Sequence, residues 1–419
     1  MEDVVRKEIK GAWLAAALLL ATSLPAAAAD QRGAVDVVHF WISKSESAAL
    51  DVLRKAWAEA GHQWVDLPAE NKVAVHRIVS DRIANGYAPA VMQWNANEGS
   101  RELPEMGIVL DIEAVATSDD WRRVLPATVL DRITYKDKVF FAPTSIHAEN
   151  WLWTSEAIFR EAGLKAPETW DEIFAAAEKI EAAGHLPIAL GEGPWEISLI
   201  FNGIVYSKLG ADGYARIIRG DPALVKDPRM AEALGMLRRL SRYTEPAAAR
   251  RHRTWADATA AVGAGKAGMQ FMGDWAKGEL VARGYAVDKD FGCSLMPGTE
   301  IAYFMVIDAF AFPLTNREGA AEAQRAFARM VLDRDNQVAF SRIKGSLPVR
   351  TDVDPSGLDR CGRLGLEKIV RNSGVSAQSM AMPTQMSDGW IGVLAAFFSD
   401  ESMSVETAQQ RLYDVVNHQ

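Results

Sequence analysis

From residue 35 onward, short apolar β-branched runs alternate with longer stretches whose apolar positions recur at helical spacing. Residues 35–41, from Val35 to Trp41, read as a strand. Ser43-Lys44-Ser45-Glu46 then opens a helical pattern with Leu50, Leu53 and Trp57 on one side. Residues 62–67 read as a second strand, 73–85 as a helix closed by Gly86, and 90–94 as a third strand. This order predicts a mostly parallel sheet with helices on its faces. The pattern changes after Asp119. Residues 135–143 look like a hairpin running into a strand, and Asn150-Trp151-Leu152-Trp153 like another strand. Thr169 reads as a helix N-cap, with Glu172 three residues on completing a capping box, and that helix runs to Ala183. A long helical region is expected from about Glu196 to Ala264. Residues 268–273 and 305–312 read as strands, and the remainder as helix with loops.

Strand–helix units stop near residue 145 and restart, and a strand near Ile307 follows a long helical stretch. A chain that crosses more than once between two lobes produces such interleaving. Two α/β lobes are therefore expected rather than one sheet, and no internal repeat is visible.

The first thirty residues differ. Arg6, Lys7 and Lys10 precede an apolar run from Gly11 to Leu24, then Pro25 and four alanines lead to Asp30. That is the arrangement of a secretory signal peptide cleaved after Ala29. The run is short for about 30 Å of hydrocarbon. No cysteine stands near the cleavage site, so a lipid anchor is not expected. The chain carries 55 acidic and 46 basic residues, a net charge of −9. This balance argues against a nucleic-acid partner and favours a soluble monomer. In an oxidising compartment Cys293 and Cys361 are expected to form a disulfide, with two buried inert thiols as the alternative. No Cys or His cluster has ligand spacing, so neither a metal nor a cofactor is expected.

Several stretches share a family likeness: Val38-His39-Phe40-Trp41-Ile42-Ser43 with Glu46, Asn150 to Trp153, Lys165 to Glu172, Gly265 to Met269, Met272 to Ala276, and Lys344-Gly345-Ser346-Leu347-Pro348-Val349-Arg350. In order and spacing over nearly the whole mature chain, they resemble the extracellular solute-binding proteins (family 1) of carbohydrate ABC importers. The likeness is greatest to periplasmic glucose-binding proteins. It implies a two-lobed periplasmic-binding-protein fold with a hinge and an interlobe cleft for a small carbohydrate, delivered to ABC transporter permease subunits. The lobes are expected at 30–146 with 306–352, and at 147–305 with 353–419, after a signal peptide at 1–29.

The resemblance also implies site residues. Sugars present C–H faces to aromatic rings and hydroxyls to donors and acceptors, and charged partners bind hydroxyls more strongly. Trp41 matches one of the family's paired tryptophans and Phe40 stands in the other's place. Glu46 matches an acceptor; a helix N-terminal carboxylate is the plainer reading. Asp308, inside an apolar strand, is expected to need partners, and Lys344 matches a donor. Trp255 and Trp275 match a stacking wall in the second lobe. Asp274 is left between the site and a helix cap, and His147 between ligand contact and structure. The run Arg250-Arg251-His252-Arg253 reads as a solvated surface.

Two departures from the glucose binders stand out. Their lysine after the third strand is replaced by Gln93-Trp94-Asn95, and their histidine by Met382. Together with Phe40, these changes remove hydrogen-bonding groups. The expected ligand is therefore a less hydroxylated or derivatised sugar, a glycoside, or another monosaccharide, with Trp94, Met380 and Met382 facing an apolar substituent. Glu46 and Asp308 also suggest a glycoside hydrolase, which needs carboxylates about 5–10 Å apart. The regular barrel rhythm is missing, and no nucleophile elbow or phosphate loop appears, so no enzyme is expected. A carrier for a chemoreceptor or sensor kinase would share the same cleft.

Overall fold

The computed structural model describes residues 34–371 and 373–417, so the expected signal peptide lies outside the described residues. These residues include twelve strands: β1 (Val35–His39), β2 (Trp64–Pro68), β3 (Val91–Asn95), β4 (Thr134–Tyr135), β5 (Lys138–Val139), β6 (Phe141–Ala148), β7 (Trp151–Ser155), β8 (Leu186–Ile188), β9 (Ala267–Phe271), β10 (Phe291–Leu295), β11 (Tyr303–Ala311) and β12 (Gly374–Ser376). Two main sheets, each covered by helices, make two α/β lobes.

In the first lobe β1 lies parallel between β2 and β3. The connecting helices start where local chemistry directs. Ser43 and Glu46 form a capping box at Lys44–Glu59, and Asn71 accepts from the Ala74 N–H at Lys72–Ala84. The parallel rhythm ends there. β11 runs antiparallel to β3 on one side and to β6 on the other, and β12 lies parallel to its first residues. The second sheet, in the order β10-β7-β9-β8, is also mostly antiparallel. The expectation of a mostly parallel sheet thus holds for β1–β3, and beyond them only the short pairs β11–β12 and β8–β9 are parallel. β11, which follows directly on the second sheet's β10 without a crossover helix, pairs antiparallel with β3 and β6.

The chain passes between the two sheets from β6 to β7 and from β10 to β11, and a third passage brings helix Arg360–Val370 to the second sheet before β12 returns to the first. Asn150, between β6 and β7, ties two of them together. Its amide donates to the Thr299 hydroxyl and the Ala302 carbonyl, and its oxygen accepts from the Phe304 N–H. The third passage follows Thr351, whose N–H still bonds Val124 of the first lobe. Helix Arg360–Val370 then carries Cys361 to β10, where it bridges Cys293 across a Cα separation of 6.1 Å. The expected disulfide is present.

Two local expectations change. The long helical region is broken into Pro194–Ile218, Pro222–Val225, Pro228–Ser241 and Trp255–Gly263. Gly210 leaves the helix at φ 70°, and Asp221-Pro222 and Asp227-Pro228 each cap a new start. The basic run is not wholly solvated. Arg250 is buried, and its guanidinium donates to the Gly191 and Glu245 carbonyls. Among the described residues no helix is long and apolar enough to cross a membrane.

Candidate functional site

The expected ligand residues of the first lobe stand just beyond β1, at the end of β3, within β11 and at the end of helix Arg334–Lys344. Lys344 is the last residue of that helix, and Gly345 follows as a left-handed C-cap with φ 90°. This turn directs Lys344 inward, where it is 2% exposed. Its ammonium donates to Glu46 Oε1 at 3.0 Å and lies 5.7 Å from the centre of the Trp41 ring. Lys344 is thus not a loop lysine in solvent. Glu46 takes the helix N-terminal role weighed for it, Oε2 accepting from the Ser43 N–H in the capping box, while Oε1 meets Lys344. Trp41 is buried with its ring 5.5 Å from both Phe310 and Phe340. Phe40 is half-buried, and its N–H donates to Gln93 Oε1.

Asp308 sits at a β-bulge, where the β11–β6 register shifts between Asp308 and Ala309. Bulges re-aim a side chain. The Asp308 carboxylate accepts from Asn95 Nδ2 at 2.6 Å and lies 3.4 Å from His147 Nε2. Burial pushes its pKa up, but the His147 hydrogen bond and charge outweigh that and hold it below the usual range. Both ring nitrogens of His147 have partners. Its Nδ1 meets Asp274 and its Nε2 faces Ser145 and Asp308. Burial alone would lower the imidazole pKa; Asp274 and Asp308 reverse this and raise it. The imidazole between two carboxylates thus links β6 with both lobes.

Asp274 does not cap the helix it precedes. It accepts instead from the Ala148 N–H and the Tyr303 hydroxyl. Trp275 follows, half-buried, edge-on to the His147 ring at 5.6 Å and 6.3 Å from Trp195. Trp195 was not among the expected residues; its place at the second position of helix Pro194–Ile218 carried no motif. Trp255 starts helix Trp255–Gly263 and is half-buried, its carbonyl accepting from Thr259 and Gln270.

Trp94 and Met382 part company. Trp94 stacks on His76 at 4.1 Å, and its buried indole N–H has no partner. Met382 is buried, its sulfur accepting from Gln378 Nε2 at 3.3 Å. Three more polar residues stand nearby, none expected from sequence. Lys72 heads helix Lys72–Ala84. Burial lowers its pKa, and Asp388, Asp308 and Glu149 act back on it through space alone. Burial, then Lys72, lowers His76 to about 4. Glu149, 5% exposed, accepts from the Ser379 hydroxyl at 2.6 Å through Oε1, while Oε2 has no partner. Burial raises it to about 7.

The lobes touch at helix Trp275–Ala282. Buried Glu279 accepts from the Ser45 N–H at 3.1 Å across the lobes. A solvent-open cavity of about 480 Å³ separates Lys44 from Asp257, Lys266, Arg283 and Tyr285; no expected ligand residue lines it. Among the described residues no group of three or more acidic, His or Cys side chains could hold a metal ion.

Residues 77–338 match the family described as bacterial extracellular solute-binding protein. A probable sugar-binding periplasmic protein of Brucella melitensis is 33% identical over 405 residues, covering 94% of this chain and 95% of that protein. A xylose/arabinose-binding protein of Haloferax volcanii is 27% identical, over 77% of this chain and 71% of that one. Among solved structures, the solute receptor AcbH, described as preferring β-D-galactopyranose, superposes with a TM-score of 0.77 at 17% identity. That match covers 92% of this chain and 99% of that one.

Proposed function

This chain belongs to the bacterial extracellular solute-binding proteins, and on that premise we propose that it captures a small sugar between its lobes and delivers it to the permease of an ABC importer. The observation that carries this reading is the meeting of Trp41 and Glu46 with Lys344, some 300 residues away in sequence, and of Asp308 with Trp275 of the other lobe on either side of His147. Buried charges and an aromatic face are what hydroxyls and C–H surfaces require. Its relatives are named as sugar-binding periplasmic proteins, which supports a carbohydrate ligand and a periplasmic location. Export through the basic-then-apolar leader, and action as a monomer, belong to the same reading. So does the lobe division at 146/147, 305/306 and 352/353; the first two points fall inside β6 and β11, the strands shared at the hinge.

Binding without catalysis fits the carboxylates. Both oxygens of Glu46 are engaged, and Asp308 is held by Asn95 and His147, so neither stands ready as a general acid or base. Isothermal titration against D-glucose, D-galactose, D-xylose, D-mannitol and maltose tests the reading. At least one should bind the native protein, and Lys344→Met should weaken it about tenfold or more. Binding by none, or an unchanged affinity in the variant, would overturn it.

A further inference from the structure

One buried side chain touches both halves of the site, and sequence left its role open. His147, on β6, is 1% exposed. Its Nδ1 meets Oδ1 of Asp274, the residue just before Trp275 in the second lobe. Its Nε2 lies 3.4 Å from Oδ2 of Asp308 and 3.2 Å from the Ser145 hydroxyl. Trp275 stands edge-on to the same ring at 5.6 Å. The other oxygen of each carboxylate is also engaged. Asp308 Oδ1 accepts from Asn95 Nδ2 at 2.6 Å. Asp274 Oδ2 accepts from the Ala148 N–H at 3.2 Å and the Tyr303 hydroxyl at 3.1 Å. Tyr303, Asp274, His147, Asp308 and Asn95 thus form one buried chain, with the imidazole at its centre.

Resting on the sugar-binding reading above, we propose that His147 is a positioning residue that sets the Asp308 carboxylate for the ligand through Nε2 and anchors Asp274, at the entry to the Trp275 helix, through Nδ1. An ionised carboxylate has about four acceptor sites. Asn95 and His147 take one on each oxygen of Asp308, which fixes the plane of the group and leaves acceptors for ligand hydroxyls. Binding geometry holds only where neighbouring hydrogen bonds lock the contacting side chain. The β-bulge at Asp308 makes this support more important, because the strand ladder is interrupted there. The two nitrogens do unequal work. Without Nδ1, Asp274 keeps the Ala148 N–H and the Tyr303 hydroxyl. Without Nε2, Asp308 keeps only Asn95 among its side-chain donors, and one of its oxygens can swing. Ligand affinity therefore depends chiefly on the Nε2 side. The imidazole is enclosed, so it acts through Asp308 and not by touching the sugar.

The experiment compares His147→Gln with His147→Asn. The amide nitrogen of Gln can stand where Nε2 stands, and that of Asn where Nδ1 stands. Gln therefore keeps a donor for Asp308 and gives up Asp274, and Asn does the reverse. The native protein, both variants and Lys344→Met are titrated with D-glucose, D-galactose, D-xylose, D-mannitol and maltose, and urea unfolding gives the stability of each. His147→Asn should weaken the best-bound sugar about tenfold or more, while His147→Gln stays within about threefold of native. A histidine that only supports the fold would give affinities that follow stability. Equal affinities in the two variants, or tighter binding by His147→Asn, would overturn the positioning role; loss in Lys344→Met would still leave the sugar-binding reading standing. Nitrogen-15 spectra of the sugar-bound native protein need no variant. Nε2 should carry a proton, because an ionised carboxylate can only accept. An unprotonated Nε2, accepting from Ser145, would equally overturn the proposal. A native protein that binds none of the five would remove both readings.

Discussion

Glu149 and Lys344 show how differently two buried charges can be treated. Lys344 meets its carboxylate at 3.0 Å, although Glu46 lies 298 residues away in sequence. Glu149 meets only a serine hydroxyl, and burial raises it to about 7, above an ordinary glutamate at 4.5. A group whose folded pKa is raised contributes stability that is complete below the unfolded value. That stability is lost as pH rises through the folded value. The ligand-free protein should therefore lose stability, relative to Glu149→Gln, as pH rises from 5 to 8. The relative change should be on the order of 3 kcal/mol in urea unfolding. A constant difference between the two proteins across that range would contradict the assignment. At this scale the sequence was partly legible. Asp308, Trp275 and Lys344 stood inside recognisable strings. Lys72, His76, Glu149 and Trp195 did not, because their significance comes from neighbours that only the folded chain supplies.

Among the elements, helix Trp275–Ala282 bears most directly on the site. Its first turn carries Trp275 and rests on the end of helix Arg334–Lys344. A Cβ added to Gly278 would lie 2.4 Å from the Lys344 carbonyl oxygen, and one on Gly345 would lie 2.6 Å from the Asp274 carbonyl. Both obstacles are backbone, so neither can swing aside. Gly278→Ala should push the helix away from Lys344 and lower stability by about 1–3 kcal/mol, read by thermal or denaturant unfolding. A variant as stable as the native protein would show that the two helices are not in close register. Elements with a single local cause were readable in advance: the Thr169–Glu172 capping box forms as the sequence directs. Those decided by partners were not. β8, β10 and β12 are three to five residues long, and only pairing across the sheet distinguishes them from loop. The long helical region failed for the opposite reason, since helical spacing persists through Gly210 and two Asp-Pro starts that end each segment.

For the whole molecule, the interleaved order of elements foretold two lobes, and the sheets bear this out. Strand direction was less accessible. β6 and β11 serve both the first sheet and the hinge, a role with no counterpart in local periodicity. The lobes meet through Ser45 and Glu279 and through the Asp274–His147–Asp308 chain. Charges fixed at these meeting points give a ligand something to reinforce, and a ligand shifts the lobes only by as much as it prefers the closed arrangement. On the proposed function, a small sugar sits among Trp41, Asp308, Lys344 and Trp275. The most direct measurement is a crystal structure of the protein grown with the tightest-binding free sugar from the titration. Density for one sugar within hydrogen-bonding distance of Asp308 and Lys344, with Trp275 against its ring, is the predicted result. The same sugar lodged elsewhere, with those side chains still bonded only to one another, would contradict the account.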